Sequence, residues 1–321
     1  MKPKILIARP IPREVEEYIA EYCEIERLTN EGNIPREHLF QALQDVEGLI
    51  GNVRIDKELL DHAPSLRVVS NISVGYNNFD LEAMKARNVM GTNTPFVLDE
   101  TVADLVLGLI LATARRIPEL DQYVKNGQWK KGDVENLFGT DVHHATLGII
   151  GMGRIGEAIA RRAKFGFDMD VVYYNRNRKM EAEDQLGLRY LAFDELLAQS
   201  DFVVLMTPLT PETTRLMGRE QFSKMKNSAF FINASRGKTV DEGALIEALE
   251  TKQIAGAGLD VFEMEPVQPD NPLLKMPQVI TLPHIGSATA KTRFDMAKLA
   301  AQNLVSAVRG EVPPHLVKEL I

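Results

Sequence analysis

Short apolar runs alternate with amphipathic stretches over the first part of the chain. The apolar runs are rich in β-branched residues and predict buried strands at Lys4–Ala8, Glu24–Leu28, Gly48–Ile50, Arg67–Asn71 and Val89–Thr92. The stretches between them repeat apolar residues at helical spacing and predict helices at Arg13–Tyr22, Pro35–Leu43 and Asp56–His62. Strands that alternate with helices predict a parallel sheet with helical crossovers.

A second series of the same kind begins at Thr146, after a loop with several glycines. It predicts strands at Thr146–Ile150, Asp170–Tyr174, Asp201–Met206, Ala229–Asn233, Ala255–Asp260 and Gln278–Thr281. We therefore expect an α/β protein with two doubly wound parallel-sheet domains. The segment 288–309 is helical by pattern and is expected to pack back on the first unit, which would make that domain discontinuous.

The longest apolar stretch, Leu105–Ala114, is far shorter than the ~20 residues that a bilayer crossing needs, so we expect a buried helix that joins the two units. The chain has 37 Lys and Arg against 45 Asp and Glu, and its formal charge of −8 argues against general binding to nucleic acid or anionic membranes. The single cysteine, Cys23, cannot form an intramolecular disulfide, which is typical of cytoplasmic proteins.

A glycine-rich motif lies between a predicted strand and a predicted helix. Gly151, Gly153 and Gly156 form the pattern G-x-G-x-x-G. The first glycine permits a tight turn, the second lets the backbone approach a pyrophosphate, and the third lets the helix pack closely on the strand. A further strand ends about 20 residues later, as in dinucleotide-binding units. This context predicts a dinucleotide site.

The end of that further strand indicates which nicotinamide dinucleotide binds. NAD enzymes commonly carry Asp or Glu there, because a carboxylate accepts hydrogen bonds from the ribose hydroxyls. This chain has Asn175, followed by Arg176 and Arg178. The loop lacks the negative charge that would repel a 2′-phosphate and offers two guanidinium groups to bind one. NADP(H) is the expected cofactor, with NAD(H) as the alternative if the arginines are only solvated surface charges.

Three side chains with suitable chemistry follow successive strands of the second series. Arg236 follows the fourth predicted strand, Glu265 the fifth and His284 the sixth. They should meet beyond the carboxyl ends of the strands, where open parallel sheets bind ligands. A guanidinium can hold a substrate carboxylate, an imidazolium can protonate a carbonyl oxygen, and a carboxylate can keep the imidazole charged. Together they predict 2-keto acid reduction, although each alone has an ordinary structural explanation.

Several motifs, in chain order, resemble the D-2-hydroxyacid dehydrogenase family. They cover nearly the whole chain and are Asn71–Tyr76, Thr101–Asp104, Gly151–Gly156, Thr207–Leu209, Ile232–Gly237, Gly258–Pro266 and Pro283–Ser287. Within the family, Asp141–His144 and Ile285–Thr289 most resemble the bacterial glyoxylate/hydroxypyruvate reductases, also called 2-ketogluconate reductases.

The resemblance implies a Rossmann cofactor domain, residues 99–287, inserted into a flavodoxin-like substrate domain, residues 1–98 and 288–321. It also implies a homodimer and the roles given above for the three side chains. Backbone amides around Val74 and Gly75 would bind the substrate carboxylate. The residues that would contact the cofactor are Thr101 with Val102, Gly151, Gly153, Arg154, Ile155, Gly156, Asn175, Arg176, Arg178, Thr207, Pro208, Ala234, Asp260 and Ser287.

Two other functions are open from the sequence. A nucleotide-sensing regulatory protein of the same fold would not need all three catalytic side chains. A phosphoglycerate-type dehydrogenase should carry extra cations in the loop Asn71–Tyr76, which has none. Adjacent His143 and His144 lack the spacing of common paired metal ligands, so no catalytic metal is expected.

Overall fold

The computed structural model describes residues 2–28 and 34–320. The chain divides into two compact units: unit 1 comprises residues 1–98 and 288–321, and unit 2 comprises residues 99–287. Over the described ranges, every helix is too short or too polar to cross a lipid bilayer.

Strands and helices alternate along almost the whole chain. The strands are β1 (Lys4–Ile7), β2 (Glu24–Arg27), β3 (Gly48–Ile50), β4 (Val68–Ser70), β5 (Met90–Thr92), β6 (Thr146–Ile150), β7 (Asp170–Tyr174), β8 (Arg189–Tyr190), β9 (Phe202–Leu205), β10 (Phe230–Asn233), β11 (Gly256–Leu259) and β12 (Val279–Thr281). The helices are α1 (Arg13–Tyr22), α2 (Arg36–Ala42), α3 (Lys57–Asp61), α4 (Leu81–Ala86), α5 (Asp99–Ala114), α6 (Ile117–Lys125), α7 (Arg154–Phe167), α8 (Met180–Leu186), α9 (Phe193–Gln199), α10 (Arg219–Lys224), α11 (Glu242–Glu250) and α12 (Ala290–Val308).

Unit 1 contains a five-stranded parallel sheet with the order β2-β1-β3-β4-β5. This is the strand order of flavodoxin-like folds. Leu6, Leu49 and Val69 are fully buried on one face of the sheet, in a core with residues of α2, α3 and α4. Apolar burial of this kind explains why the strands are nearly continuous hydrophobic runs rather than alternating ones.

The C-terminal helix α12 completes unit 1. The Ser70 hydroxyl donates to the Ala300 carbonyl at 2.7 Å, and Arg67 Nη1 donates to the Val308 carbonyl at 3.3 Å. The end of β4 therefore lies beside the middle of α12, and the start of β4 lies beside the end of α12. The helix runs antiparallel to the strands, so its first turns lie at the carboxyl edge of the sheet.

Unit 2 contains a seven-stranded parallel sheet with the order β12-β11-β10-β9-β6-β7-β8. The order from β8 to β11 follows the dinucleotide-binding arrangement, with β6 as its first strand. Helix α5 buries Val102, Val106 and Ile110 and packs against α7, β10 and β11. Its apolar sequence is thus explained by burial within unit 2.

The predicted α/β class with two parallel sheets is confirmed, and the predicted strand ends differ by one or two residues at most. Strand β8 was not predicted. It has only two residues, and its pairing with Val172 and Tyr173 of β7 is a tertiary contact that no local pattern announces.

Candidate active site

The glycine loop connects β6 to α7, and the surrounding backbone requires two of its glycines. Gly151 has φ +105°, and a Cβ atom there would lie 2.7 Å from the carbonyl carbon of Met206. A Cβ atom at Gly156 would lie 2.6 Å from the carbonyl oxygen of Gly151. Both contacts are too short for any side chain, so these glycines are needed to close the loop on its neighbours.

Gly153 differs from the other two glycines because nothing lies within 4 Å of a Cβ atom built on it. It is the N-cap residue of α7, in an extended conformation that any residue adopts. Packing of the chain therefore does not require glycine here. Close approach of a ligand to the backbone would require it, and the helix N-terminus beside it suits a phosphate. The loop fits the pyrophosphate of a dinucleotide.

Thr207 supplies a second observation that fits a bound dinucleotide. It follows β9, and its amide nitrogen would be 2.9 Å from a Cβ atom at Gly151, so it borders the glycine loop. Its hydroxyl oxygen is buried and has no hydrogen-bond partner among the described residues. Buried hydroxyls are almost always hydrogen-bonded, so this one is available to a ligand. The next residue, Pro208, is exposed at the same edge.

The loop after β7 contains the residues expected to select the cofactor. Asn175 follows β7, so the end of this strand carries an amide where NAD enzymes commonly carry a carboxylate. Its Nδ2 donates to the carbonyl of Asn177 at 2.8 Å. Arg178 donates two hydrogen bonds to Glu183, at 2.7 and 2.6 Å. Those bonds, with one from Tyr173, lower the pKa of Glu183 to about 2. Glu183 pairs with Arg178, whereas Arg176 forms no ion pair with any residue that the structure describes. Of the two arginines in this loop, Arg176 is therefore the one whose guanidinium can bind a phosphate.

The first turns of α5 and α7 meet beside the glycine loop. Arg154 begins α7, and its Nε donates to the carboxylate of Asp99, which begins α5, at 2.9 Å. Ile155, the next residue, is half-buried in the first turn of α7. Val102 is buried three residues into α5, next to half-buried Thr101. The structure therefore brings these predicted cofactor residues to one place in unit 2.

Glu265 and His284 form a direct pair. His284 Nδ1 lies 2.7 Å from Glu265 Oε2, and the amide of Phe262 donates to Glu265 Oε1 at 3.1 Å. Burial opposes ionisation of Glu265, but the bonds from His284 and Phe262 and the positive charges of His284 and Arg236 outweigh it, and its pKa lies below the usual value. The carboxylate is held charged against the imidazole.

The turn that contains His284 is held by Asp260. The Asp260 carboxylate is almost fully buried and accepts hydrogen bonds from the amides of Ile285 and Gly286, at 2.7 and 2.8 Å. Burial raises the pKa of Asp260, while these two amides and the charge of His284 counteract the rise. Asp260 was expected to line the cofactor site, and no local pattern indicated that it orients this turn. Ser287 follows the turn and is half-exposed.

Arg236 lies after β10 in the same unit. Its Nη1 donates to the carbonyl of Ser235 at 2.6 Å, and burial lowers the pKa of Arg236 against the opposing charge of Glu265. Sequence reasoning missed Asn233, which is buried at the end of β10. Its Oδ1 accepts from Ser235 and its Nδ2 donates to the Arg236 carbonyl, so it shapes the turn around half-buried Ala234. An Asn at a strand end is a recognised turn signal that would have indicated this.

The loop with Val74 and Gly75 follows β4 in unit 1. Asn93 Nδ2 donates to the Val74 carbonyl at 2.8 Å, and the Ser73 hydroxyl donates to the Gly75 carbonyl at 2.6 Å. Both carbonyls are thus turned toward partners in unit 1. This arrangement is compatible with amides of the loop that face a ligand.

A family model described as D-isomer specific 2-hydroxyacid dehydrogenase, NAD binding domain, matches residues 107–286. The glyoxylate/hydroxypyruvate reductase B of Escherichia fergusonii is 49% identical over 99% of this chain and 98% of its own length. A crystal structure of a protein from Thermus thermophilus has a TM-score of 0.91 and 42% identity, with 98% of this chain and 99% of that chain covered.

One further solved structure is informative because its description names ligands. It is the NADPH-dependent glyoxylate/hydroxypyruvate reductase of Sinorhizobium meliloti in complex with NADP and malonate. The TM-score is 0.89 and the identity 34%, with 100% of this chain and 98% of that chain covered.

Proposed function

We propose a specific reaction from one premise, which is that the chain belongs to the D-isomer specific 2-hydroxyacid dehydrogenase family. The chain is an oxidoreductase of 2-keto and 2-hydroxy acids. The proposed reaction is the NADPH-dependent reduction of glyoxylate, hydroxypyruvate or 2-ketogluconate to the D-2-hydroxy acid. The names of the relatives favour glyoxylate and hydroxypyruvate over phosphoglycerate, and a reductase over a regulatory protein without catalysis. The inclusion of 2-ketogluconate rests on the resemblance of the sequence motifs alone.

The Glu265–His284 pair carries this proposal. A carboxylate held charged 2.7 Å from an imidazole favours the imidazolium, which is the proton donor that reduction of a carbonyl needs. Nδ1 of His284 is engaged by Glu265, so Nε2 would deliver the proton to the substrate oxygen. In the reverse direction the same nitrogen would accept it.

Arg236 is proposed to bind and polarise the substrate. A guanidinium is always charged and can hold a carboxylate through two parallel hydrogen bonds, a geometry that lysine cannot reproduce. Arg236 is half-buried, where such bonds gain strength from the lower dielectric. Amides of Val74 and Gly75 are proposed to bind the substrate carboxylate from unit 1, as the family resemblance implies.

NADPH is the proposed cofactor, and it supplies the hydride when bound. Gly153 and the first turn of α7 would hold its pyrophosphate, and Thr207 would donate to it. Arg176, supported by Arg178, would bind the 2′-phosphate, which Asn175 does not repel. The other contacts are proposed for Thr101 with Val102, Gly151, Arg154, Ile155, Gly156, Pro208, Ala234, Asp260 and Ser287.

A homodimer in the cytoplasm is also proposed. A monomer seldom exposes several large apolar side chains in one region. Unit 2 does so between residues 117 and 138, at Ile117, Val124, Trp129, Val134 and Phe138. A second copy of the chain is the expected partner.

The lone, buried Cys23 agrees with a reducing compartment, which supports the proposed location in the cytoplasm.

Steady-state kinetics of the purified protein tests the reaction. Glyoxylate, hydroxypyruvate, pyruvate and 2-ketogluconate would each be assayed with NADPH and with NADH. We expect the highest kcat/KM for one of the three proposed substrates with NADPH, and at least about tenfold less with NADH, because the 2′-phosphate adds charge-assisted bonds. Equal or better use of NADH would contradict the cofactor assignment, and failure to reduce any keto acid would contradict the reaction.

A further inference from the structure

The loop that carries Glu265 connects β11 to β12 and has an exposed middle. Its two ends are anchored in the core of unit 2, where Phe262 and Leu273 are buried. Residues 264–270 between them are exposed, apart from half-buried Val267. Segments with few buried apolar contacts are the least stable parts of a fold. Polar contacts must therefore fix the position of the Glu265 carboxylate.

One carboxylate outside this loop binds both ends of it. Glu242 is the first residue of α11, and its Oε2 accepts a hydrogen bond from the main-chain amide of Glu263 at 3.0 Å. Its Oε1 accepts from Nδ2 of Asn271 at 2.7 Å. One partner precedes Glu265 in the chain and the other follows it. Hydrogen bonds to a charged acceptor are stronger than neutral ones, so Glu242 holds the loop closed across its base.

The same loop lies directly against the turn that carries Arg236. Gly237 in that turn is buried, and a Cβ atom there would overlap the peptide that joins Phe262 to Glu263. The main-chain amide of Phe262 in turn donates to the Glu265 carboxylate at 3.1 Å. The two backbones are thus in contact next to the amide that binds Glu265. Movement at this end of the loop would displace the Glu265 carboxylate.

We propose that Glu242 is a positioning residue of the reaction, which keeps the Glu265 carboxylate at hydrogen-bond distance from His284. The inference rests on the proposed function, because it assigns Glu242 a part in proton transfer by His284. Glu242 acts through the loop, since both of its carboxylate oxygens are bound there. Misplacement of a catalytic group by about 1 Å can lower a rate by ~10²-fold, so a clamp of this kind affects the chemical step.

Glu242→Gln tests the clamp, because glutamine keeps the shape of the side chain but offers a single acceptor oxygen. Its NH2 group would face one of the two donors and release that end of the loop. The single-turnover rate of keto acid reduction should fall about tenfold, with the KM for NADPH nearly unchanged. The alkaline limb of the pH profile for this rate should move to lower pH, because a displaced Glu265 stabilises the imidazolium less. The other charged groups near the pair, Arg236 and Asp260, are not altered.

A double variant shows whether Glu242 acts through Glu265. In the Glu265→Gln background, Glu242→Gln should change the rate by less than about twofold and should not move the alkaline limb further. A direct effect of the Glu242 charge on the imidazole, or a general loosening of the fold, would lower the rate by the same factor in both backgrounds. That result overturns the proposal.

Glu247→Gln is the matched control, because it removes a carboxylate of the same helix, α11, that pairs with Arg219. Its rate and pH profile should match those of the wild type. Asn271→Ser is the second variant. Serine retains an oxygen that can accept from the amide of Leu273, as Asn271 Oδ1 does at 3.0 Å, but its side chain is too short for the bond to Glu242. It should slow the reaction and move the alkaline limb as Glu242→Gln does. If Glu242→Gln does not fold, Asn271→Ser decides.

A titration without substrate or cofactor separates this inference from the proposed reaction. The ring signal of His284 would be followed by NMR against pH and assigned by its loss in His284→Asn. We expect it to titrate at lower pH in Glu242→Gln than in the wild type and in Glu247→Gln. If no keto acid is reduced but this shift is seen, the reaction fails and the positioning role stands. If keto acids are reduced and Glu242→Gln matches the wild type in rate and titration, the positioning role is overturned.

Discussion

At the scale of single residues, the orientation of His284 depends on an unusual backbone conformation. His284 has φ +53°, in the left-handed region that non-glycine residues seldom adopt. The cost of such a conformation is of order 1–3 kcal/mol and is met only when the surroundings impose it. Here Asp260 fixes the two following amides, and Glu265 fixes the ring. This over-determined geometry is what a positioned proton donor requires.

Glu265→Gln tests the electrostatic part of that arrangement. The pKa of Glu265 lies below its usual value, so this carboxylate is charged at any pH at which the imidazolium acts. Removal of this negative charge makes the imidazolium easier to deprotonate. The alkaline limb of the pH profile for reduction should therefore move to lower pH. The acid limb of the oxidation profile should move in the same direction.

The pH profiles need a control with the same loss of charge. Glu263→Gln serves, because Glu263 lies two residues away and pairs with Arg215 instead of His284. Its profiles should match those of the wild type. An unchanged profile in Glu265→Gln, with chemistry shown to be rate-limiting by a deuterium isotope effect, would exclude this role for Glu265.

At the scale of elements, the β6–α7 connection combines glycines with two different functions. Gly151 and Gly156 are enclosed by backbone atoms of the chain, whereas the space next to Gly153 is open. The first kind is needed for packing of the chain, and the second is needed mainly for what binds. The three positions can therefore be separated experimentally, although the sequence motif treats them alike.

Gly156→Ala and Gly153→Ala should affect different properties, the first the stability and the second the binding of NADPH. Gly156→Ala places a methyl group against a backbone oxygen that cannot move freely, so the free energy of unfolding should fall by about 1–3 kcal/mol, seen as a lower Tm. Gly153→Ala should lower the Tm of the apoprotein less than Gly156→Ala does, since it meets no steric clash and loses only the preference for glycine over alanine at an N-cap. Its Kd for NADPH should rise at least about tenfold, because the methyl group occupies the space of the pyrophosphate.

Gly166→Ala is the control for the substitution itself. Gly166 lies in the same helix, α7, with open space around its Cα atom. Alanine there should stabilise the helix slightly, by up to ~1 kcal/mol, without any effect on NADPH binding. If Gly153→Ala binds NADPH as tightly as Gly166→Ala does, the glycine loop is not where the pyrophosphate lies.

At the scale of the whole molecule, the exposed apolar side chains of α6 and the segment after it indicate the assembly. Helix α6 has no fully buried residue, and Ile117 and Val124 are both 53% exposed in the single chain. Trp129 is 66% exposed. Large apolar groups of this kind are normally covered in the functional state of a soluble protein.

Sedimentation or light scattering should therefore give twice the chain mass of 35.9 kDa. Val124→Asp should shift the equilibrium toward the monomer, because burial of an unpaired carboxylate in an apolar interface is unfavourable. Val312→Asp is the matched control: Val312 is 82% exposed and belongs to unit 1, far from this segment in sequence. A wild type that stays monomeric at micromolar concentration would contradict the proposed dimer.

Much of this protein follows from local patterns in its sequence. Buried parallel strands are continuous apolar runs, so β1 and β6 could be recognised from the sequence. The turn before α7 needs glycine at positions 151 and 156 for reasons of backbone geometry alone. The candidate catalytic side chains were also recognisable. Residues that follow the strands of a parallel sheet lie at the same edge of that sheet. Glu265 and His284 could therefore be expected to meet.

Only the tertiary structure decided which side chains pair with which. Asp260 binds the amides after His284, Glu183 engages Arg178 and leaves Arg176 uncommitted, and Arg9 reaches Asn52. Each of these arrangements depends on the order of strands in a sheet or on how a loop closes. Local propensity and periodicity describe neighbours along the chain and carry no information about strand order. Contacts between distant segments form only after long loops close and the core packs, so local patterns in the sequence do not reveal the partner.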